Sequence, residues 1–474
     1  MKHKRYRDRE PAPRVTSDST RFEIRFQNQM YNELRKRLLS DLGKEYYACL
    51  LAKRRLIKDL CVYTVVDAIY PDIESYKSQG VTALRVDGAF MRGVLLDVER
   101  RIDVDSVIDV HTHPFTMSDA WFSGIDDRDE GSFREYLHKE DPDIYYASIV
   151  LTQVSYSARS WEIRGKNKPV CFPAQIRTQK AGECGFHDNH DSCQDEASVG
   201  EDGMFSRSVL ALGLDSMRLI TDKQRVTVAG LGGIGSIIAE HLVHMGFTEI
   251  NLIDFDNLEV SNLNRVVGAT HEDAVNRRLK VEAIKEHLQK INPAATVNAY
   301  PNDVFDEDME YVLASSHWVF AATDNHSSRY RIQQLCFKYY VPFITAGVNI
   351  TVSEGNITDM SGEVILVRIG DRVCLSCLKR INFNEVAKDI HPDAAVREGL
   401  VEKGYVSGKD VKEPAVKTLN TYLATMAVDA LVNQYTERRR DATVMVYEDN
   451  GFPAIYEDTI SVSSRNLKCS VCGI

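Results

Sequence analysis

Arg225-Val226-Thr227-Val228-Ala229-Gly230-Leu231-Gly232-Gly233-Ile234-Gly235-Ser236 decides the fold of the larger part of this chain. Its first five residues read as a buried strand. The glycines break that strand, and residues 237–245 then carry a helical apolar pattern that stops at Gly246. A strand that passes through a glycine loop into a helix aims backbone N–H groups and the positive end of the helix dipole at one point. Phosphates bind at such a point, and glycine lets them approach the backbone closely. A second strand, residues 249–253, delivers Asp254 and Asp256. A carboxylate at this distance accepts ribose hydroxyls. As far as Asp254, NAD and a nucleoside triphosphate fit about equally well.

The residues that follow favour the triphosphate. Ser261-Asn262-Leu263-Asn264-Arg265 comes next, and Lys280 lies in the helix-patterned stretch 277–287. A strand at 317–322 ends in Thr323-Asp324-Asn325. Ligands of open parallel sheets bind at the carboxyl ends of the strands, where most of these groups fall. Arg265 and Lys280 supply cations there, and Asp324 stands where a Mg²⁺ ligand belongs. Displacement at phosphorus needs such a set, whereas hydride transfer does not. At the glycine loop, Asp254-Phe255-Asp256, Ser261–Arg265, Lys280 and Thr323–Asn325 the chain resembles the adenylating domain of ubiquitin-activating enzymes and their ThiF/MoeB relatives. The resemblance runs from about residue 204 to the C-terminus. It implies ATP over Gly230, Gly232, Gly233 and Gly235, with Asp254 on the ribose beside Asp256. It also implies Asn262, Arg265 and Lys280 on the phosphates, and Asp324 on Mg²⁺. Phe205-Ser206-Arg207-Ser208 is similar to the family's N-terminal arginine motif, which reaches a partner subunit's ATP. A homodimer through this domain is therefore implied. The other reading of Arg207 is a solvated helix residue.

The chain has 474 residues, room for two or three domains, and a net charge of −11. That charge disfavours a general nucleic-acid binder. No window approaches a membrane span, and no apolar leader core follows Met1, so a cytoplasmic protein is expected. The ten cysteines include Cys374-Leu375-Ser376-Cys377 and Cys469-Ser470-Val471-Cys472. They read as metal ligands and reduced thiols, not as a disulfide framework.

Ahead of the glycine loop lies a different constellation. Residues 28–41 have the pattern of an amphipathic helix, and 45–52 form a buried run carrying one carboxylate, Glu45. Residues 62–69, 94–98 and 106–110 read as strands, the last leading into His111-Thr112-His113-Pro114. Histidines at i and i+2 of a strand share a face and can grip one metal. Ser123-Gly124-Ile125-Asp126 adds a carboxylate. Two His, one Asp and a water make a zinc site with an open catalytic position. Glu45 is then the general base, with Glu99 as a rival, and Ser123 an oxyanion donor. Asp127 and Asp129 rival Asp126 as third ligand. This part, residues 21–162, resembles the JAMM (JAB/MPN-type) metallopeptidases, which cleave after ubiquitin-like domains. The alternative is a JAMM fold without its metal, used for docking.

The expected organisation is α/β throughout. A flexible basic tail covers 1–20, a JAMM-type domain 21–166 and a connector 167–203. From 204 to 474 a doubly wound, Rossmann-like adenylating domain follows, with a structural Cys₄ zinc site. The connector holds Cys184, His187, His190 and Cys193, read either as a cramped zinc site or as a source of a mobile thiol. The cysteine of thioester-forming relatives, placed between the first Cys pair and the closing helix, is missing from 379–412. Adenylation alone, or transfer to a thiol on a conjugating enzyme, is the consequence.

The two resemblances together imply a bacterial modification enzyme, similar to those of antiviral defence. It would adenylate the C-terminal glycine of a ubiquitin-like β-grasp protein and trim or remove that modifier with zinc. Sulfur-carrier activation and an ATP-binding scaffold are the alternatives.

Overall fold

The computed structural model describes residues 15, 17–81, 84–114, 116, 119–165, 167–179, 203–222, 224–390 and 414–472. They fall into two compact units, Met1–Ser192 and Cys193–Ile474. The basic tail up to Arg14 and the Cys184, His187, His190 and Cys193 group lie outside the described residues.

Unit 1 contains β1 (Arg21–Arg25), α1 (Asn28–Leu38), β2 (Tyr47–Ile57), β3 (Leu60–Ile69), β4 (Tyr76–Gln79), β5 (Leu84–Val86), α2 (Gly88–Arg100), β6 (Ser106–Thr112), α3 (Gly124–Glu140), β7 (Tyr145–Leu151), β8 (Tyr156–Arg164) and β9 (Lys168–Arg177). The order β1-β3-β2-β6-β7-β8-β9 closes on itself, because β1 pairs parallel with both β3 and β9. Alternation along the strands builds two cores. Ala48, Leu50 and Ala52 of β2 join Ile108 and Val110 of β6 in the core with α1. Tyr47, Cys49 and Leu51 join Val107 in the core with Val94 and Val98 of α2 and Leu137 of α3. By the same alternation Asp109 and His111 belong to the α2–α3 face.

Two expectations are corrected here. Residues 94–98 are helical, not a strand: Val94 and Val98 are four apart and are the buried pair of α2. Asp87 caps that helix by accepting from Ala89 N–H. The start of the supposed connector is β9, which pairs with β8 and closes the barrel onto β1. Ala174 and Ile176 supply its buried side, a period-two signal within polar neighbours.

Unit 2 contains α4 (Ser206–Leu212), α5 (Leu214–Thr221), β10 (Arg225–Ala229), α6 (Gly235–Met245), β11 (Glu249–Ile253), α7 (His271–Val275), α8 (Lys280–Ile291), β12 (Thr296–Tyr300), α9 (Glu307–Ser315), β13 (Trp318–Ala321), α10 (His326–Tyr339), β14 (Phe343–Ser353), β15 (Asn356–Val367), α11 (Phe383–Ile390), α12 (Lys417–Thr436), β16 (Val444–Glu448), β17 (Ala454–Glu457) and α13 (Thr459–Ser463). The strand order is β12-β11-β10-β13-β14-β15-β16-β17. Pairing is parallel from β12 to β14 and antiparallel from β14 to β17. The doubly wound half is as read from sequence, with an antiparallel extension added. The chain reverses its direction of winding between β10 and β13, which opens a crevice at their carboxyl ends. Among the described residues no helix is long and apolar enough to cross a membrane.

Candidate functional site

The crevice of unit 2 is lined by the glycine loop. Gly230 has φ +88°, and a Cβ there would lie 2.7 Å from Ala322 O. A Cβ on Gly235 would lie 1.8 Å from Gly230 O. Both glycines are required by this close turn against the end of β13. Gly232 faces open space, with nothing within 4 Å of its Cβ position. Ser236 Oγ donates to Gly232 O at 2.8 Å and accepts from Val267 N at 3.1 Å, which ties the loop down.

Asp254 follows β11. Its Oδ2 accepts from Leu231 N at 2.6 Å and its Oδ1 from Asp256 N at 2.9 Å. Burial raises its carboxyl above the usual range, and Lys280 partly offsets this. Lys280, itself buried, places Nζ 2.6 Å from Asp256 Oδ2 and 3.7 Å from Asp254 Oδ1. The cation is thus held at the loop by two carboxylates. Asn262 Oδ1 accepts from Glu259 N, so this side chain folds its own turn. Arg265, half-buried, donates from Nη1 to Ser261 O at 2.8 Å and to Asn264 Oδ1 at 3.0 Å. Asp324 is exposed just past β13, and Asn325 caps α10. Arg207 is exposed on α4, and among the described residues no hydrogen bond or ion pair joins it to the loop. Asn420 of α12, which no motif flagged, lies against Gly233.

Four thiols gather elsewhere in the unit. Sγ atoms of Cys374, Cys377, Cys469 and Cys472 all lie within 4.8 Å of one another, and all four residues are buried. Cys374 N–H points at Cys377 Sγ and Cys377 N–H at Cys374 Sγ, at 3.1 and 3.4 Å. Backbone donors on sulfur and the closeness of the four thiols suit a closed thiolate site for a metal such as zinc. Cys336 is buried within α10, apart from this group.

Residues 205–471 match the model of the ThiF family. The chain belongs to the ThiF family. It is 32% identical over 185 residues to a molybdopterin-synthase adenylyltransferase of Salmonella typhimurium, across 39% of this chain and 70% of that protein. It is 24% identical over 304 residues to the adenylyltransferase and sulfurtransferase UBA4 of Candida glabrata, across 63% of this chain and 64% of that protein. The chain thus spans just under two thirds of UBA4. Against the solved structure of E. coli MccB with ATP the TM-score is 0.46 at 18% identity, covering 59% of this chain and 76% of that one. Residues 205–471, matched by the family model, lie within the Rossmann-like second unit.

Unit 1 of this ThiF-family chain holds its own site. His111, His113 and Asp126 bring one ligand atom each within 4.8 Å of the others. His111 Nε2 lies 3.6 Å from Asp126 Oδ1 and, though buried, has no hydrogen-bond partner. Burial first, with His113 adding, pulls the His111 imidazole down to about 4 against the pull of Asp126. A neutral ring with an orphaned nitrogen is the state a metal ligand requires. Glu45 precedes β2, whose Tyr47 pairs with His111 across the sheet. Burial, and then the Asp126 carboxylate, push Glu45 up to about 7. Glu99 is exposed on α2 and does not join the group.

Ser123 is the N-cap of α3. Its Oγ accepts from Ile125 and Asp126 N–H, while Asp126 Oδ2 accepts from Ser123 N at 2.6 Å. The hydroxyl proton remains for donation. Asp127 turns away to Arg159 Nη1 at 2.6 Å, and Asp129 lines a cavity beside Glu130. Asp126 alone of the three candidates joins the histidines. Arg159 also holds Glu130 at 2.8 Å and lies 3.6 Å over the Phe122 ring. Sequence gave no sign of Arg159, because its partners are 29 and 32 residues away.

Proposed function

We propose that the ThiF domain adenylates the C-terminal glycine of a small ubiquitin-like β-grasp protein. The glycine carboxylate attacks the α-phosphorus of ATP, the bond to the bridging α–β oxygen breaks, and pyrophosphate leaves. The carrying observation is Lys280, buried at the glycine loop between Asp254 and Asp256. Nucleotide entry releases this cation to the phosphates while Asp254 takes the ribose. Arg265 swings from its loop carbonyl to the developing charge. Asp324, exposed at the carboxyl end of β13, is the residue that would hold Mg²⁺, and the ion would supply positive charge for the phosphates. Arg207 serves a partner subunit's site in a homodimer. The Salmonella and Candida relatives are named as adenylyltransferases, which supports the adenylation step.

Unit 1, in this reading, is a JAMM-type zinc peptidase spanning residues 21 to at least 177. Zinc on His111, His113 and Asp126 would polarise the scissile carbonyl and acidify a water. Glu45 takes the water's proton and passes it to the leaving amine. Ser123 Oγ donates to the carbonyl oxygen as charge builds on it. The substrate is the same modifier, as a precursor or attached to a target.

Sulfur-carrier activation is the second reading. No cysteine occurs in 379–412, so the ThiF domain has no thiol there to receive the acyl group. Sulfide, a persulfide or a conjugating enzyme's thiol would accept it instead. ATP–pyrophosphate exchange with a candidate β-grasp protein tests the central step. Exchange should require the partner's terminal glycine and disappear in Asp324→Ala. Exchange that persists in Asp324→Ala would remove this residue from the mechanism.

A further inference from the structure

α12 buries most of its circumference, including Leu419, Leu423, Ala424 and Ala427. Asn420 interrupts that surface and is only 3% exposed. Its backbone N–H makes an ordinary helical bond to Val416 O at 3.1 Å. Its side-chain amide has no hydrogen bond to any described residue. That amide is aimed at the nucleotide loop: a Cβ built on Gly233 would lie 2.2 Å from Asn420 Nδ2 and 3.2 Å from its Cγ. Arg265 Cδ would lie 3.2 Å from the same point. Gly233 is glycine because the Asn420 amide and the Arg265 stem fill the space its side chain would need.

With no protein partner, the amide of this otherwise buried residue is left to meet whatever occupies the crevice. Leucine would suit α12 better as packing. The amide acquires a partner once the crevice is filled. The loop and the start of α6 draw phosphate to this place, Arg265 supplies charge beside it, and Nδ2 is a donor facing the same glycine.

We propose that Asn420 is a nucleotide-contacting residue, its side-chain amide donating to a phosphoryl oxygen of ATP lying over Gly233. The inference rests on the adenylation reading and deepens it. It makes the helix behind the loop part of the phosphate site.

The test is binding of ATP, AMP and adenosine to the full chain by calorimetry, together with thermal unfolding. Asn420→Leu removes the amide at similar volume. It should leave the unfolding temperature unchanged or higher, and weaken ATP at least tenfold with adenosine unchanged. Asn420→Asp sets a carboxylate against the phosphates. It should weaken ATP further, AMP less and adenosine not at all. Wild-type ATP affinity in both variants would overturn the proposal. Equal losses for ATP and adenosine would overturn it too, and would make Asn420 a packing residue. If the wild-type chain bound no ATP, the adenylation reading would fall and this inference with it.

Discussion

At the scale of single residues, the zinc-type cluster depends on groups that never touch its centre. Asp126 and Asp127 are adjacent on α3, and only one of them faces His111. The Arg159 fork engages Asp127 and Glu130 and covers Phe122, which fixes how the first turn of α3 is rotated. Methionine keeps much of the arginine stem and loses the fork. If unit 1 binds zinc as proposed, Arg159→Met should lower that affinity by roughly 10–100-fold, the usual loss when an outer support of a metal ligand is removed. Competition with a chromophoric chelator would measure it, with circular dichroism to verify folding. Unchanged affinity would show that the Ser123 cap alone orients Asp126. Glu45→Gln makes a complementary case. It should retain zinc and lose cleavage by about 10²–10⁴-fold, the range for a general base. A variant that kept full turnover would move the base elsewhere. His111 and His113 were legible as a pair from their spacing on a strand, whereas the choice of Asp126 over Asp127 and Asp129 needed the fold. Arg159 and Asn420 were not legible, since their meaning comes from partners distant in the chain.

At the scale of elements, the glycine loop separates two uses of one residue type. Gly235 is held by backbone, since its Cβ would meet Gly230 O at 1.8 Å. Gly235→Ala must displace either β10's exit or α6, so a cost of about 1–3 kcal/mol from overpacking is expected, with loss of ATP binding. Gly232 has no neighbour within 4 Å of its Cβ position. Gly232→Ala should stay within about 0.5 kcal/mol of wild type, as open surface changes do. Any loss of ATP affinity there would then report the ligand's own approach to the backbone. Denaturant unfolding beside ATP titration distinguishes the two. A Gly235→Ala protein as stable as wild type would contradict the close packing of loop on strand. The strand–loop–helix unit was legible because periodicity changes sharply at Gly230. α2 and β9 were misread for the opposite reason. α2 shows only the sparse buried pair Val94 and Val98, and β9 buries Ala174 and Ile176 among polar neighbours. Both gain their place from the sheet, not from a strong local pattern.

At the scale of the whole molecule, the long-range tie is the cysteine cluster. Cys374 and Cys469 are 95 residues apart in sequence, and their Sγ atoms are 3.6 Å apart. Between them run α11, α12, β16, β17 and α13. A crosslink closing a loop of ~100 residues removes up to about 4–5 kcal/mol of unfolded-chain entropy, and metal clips act by the same rule. If the four thiols hold a metal, Cys472→Ser removes one ligand and leaves three, which would open the site to water. The unfolding transition of the ThiF domain should then fall by several degrees and become sensitive to chelators. The transition of unit 1 should not move, because the two compact units each carry their own core and their own ligand cluster. His113→Ala should do the reverse, leaving the ThiF domain's transition in place and removing zinc from unit 1. Calorimetry with metal analysis of both variants reads all four quantities in one series. A Cys472→Ser chain with wild-type zinc content and an unshifted transition would mean that packing of α12 and the β15–β17 strands already holds the C-terminal segment, and that the thiols gather without clamping it.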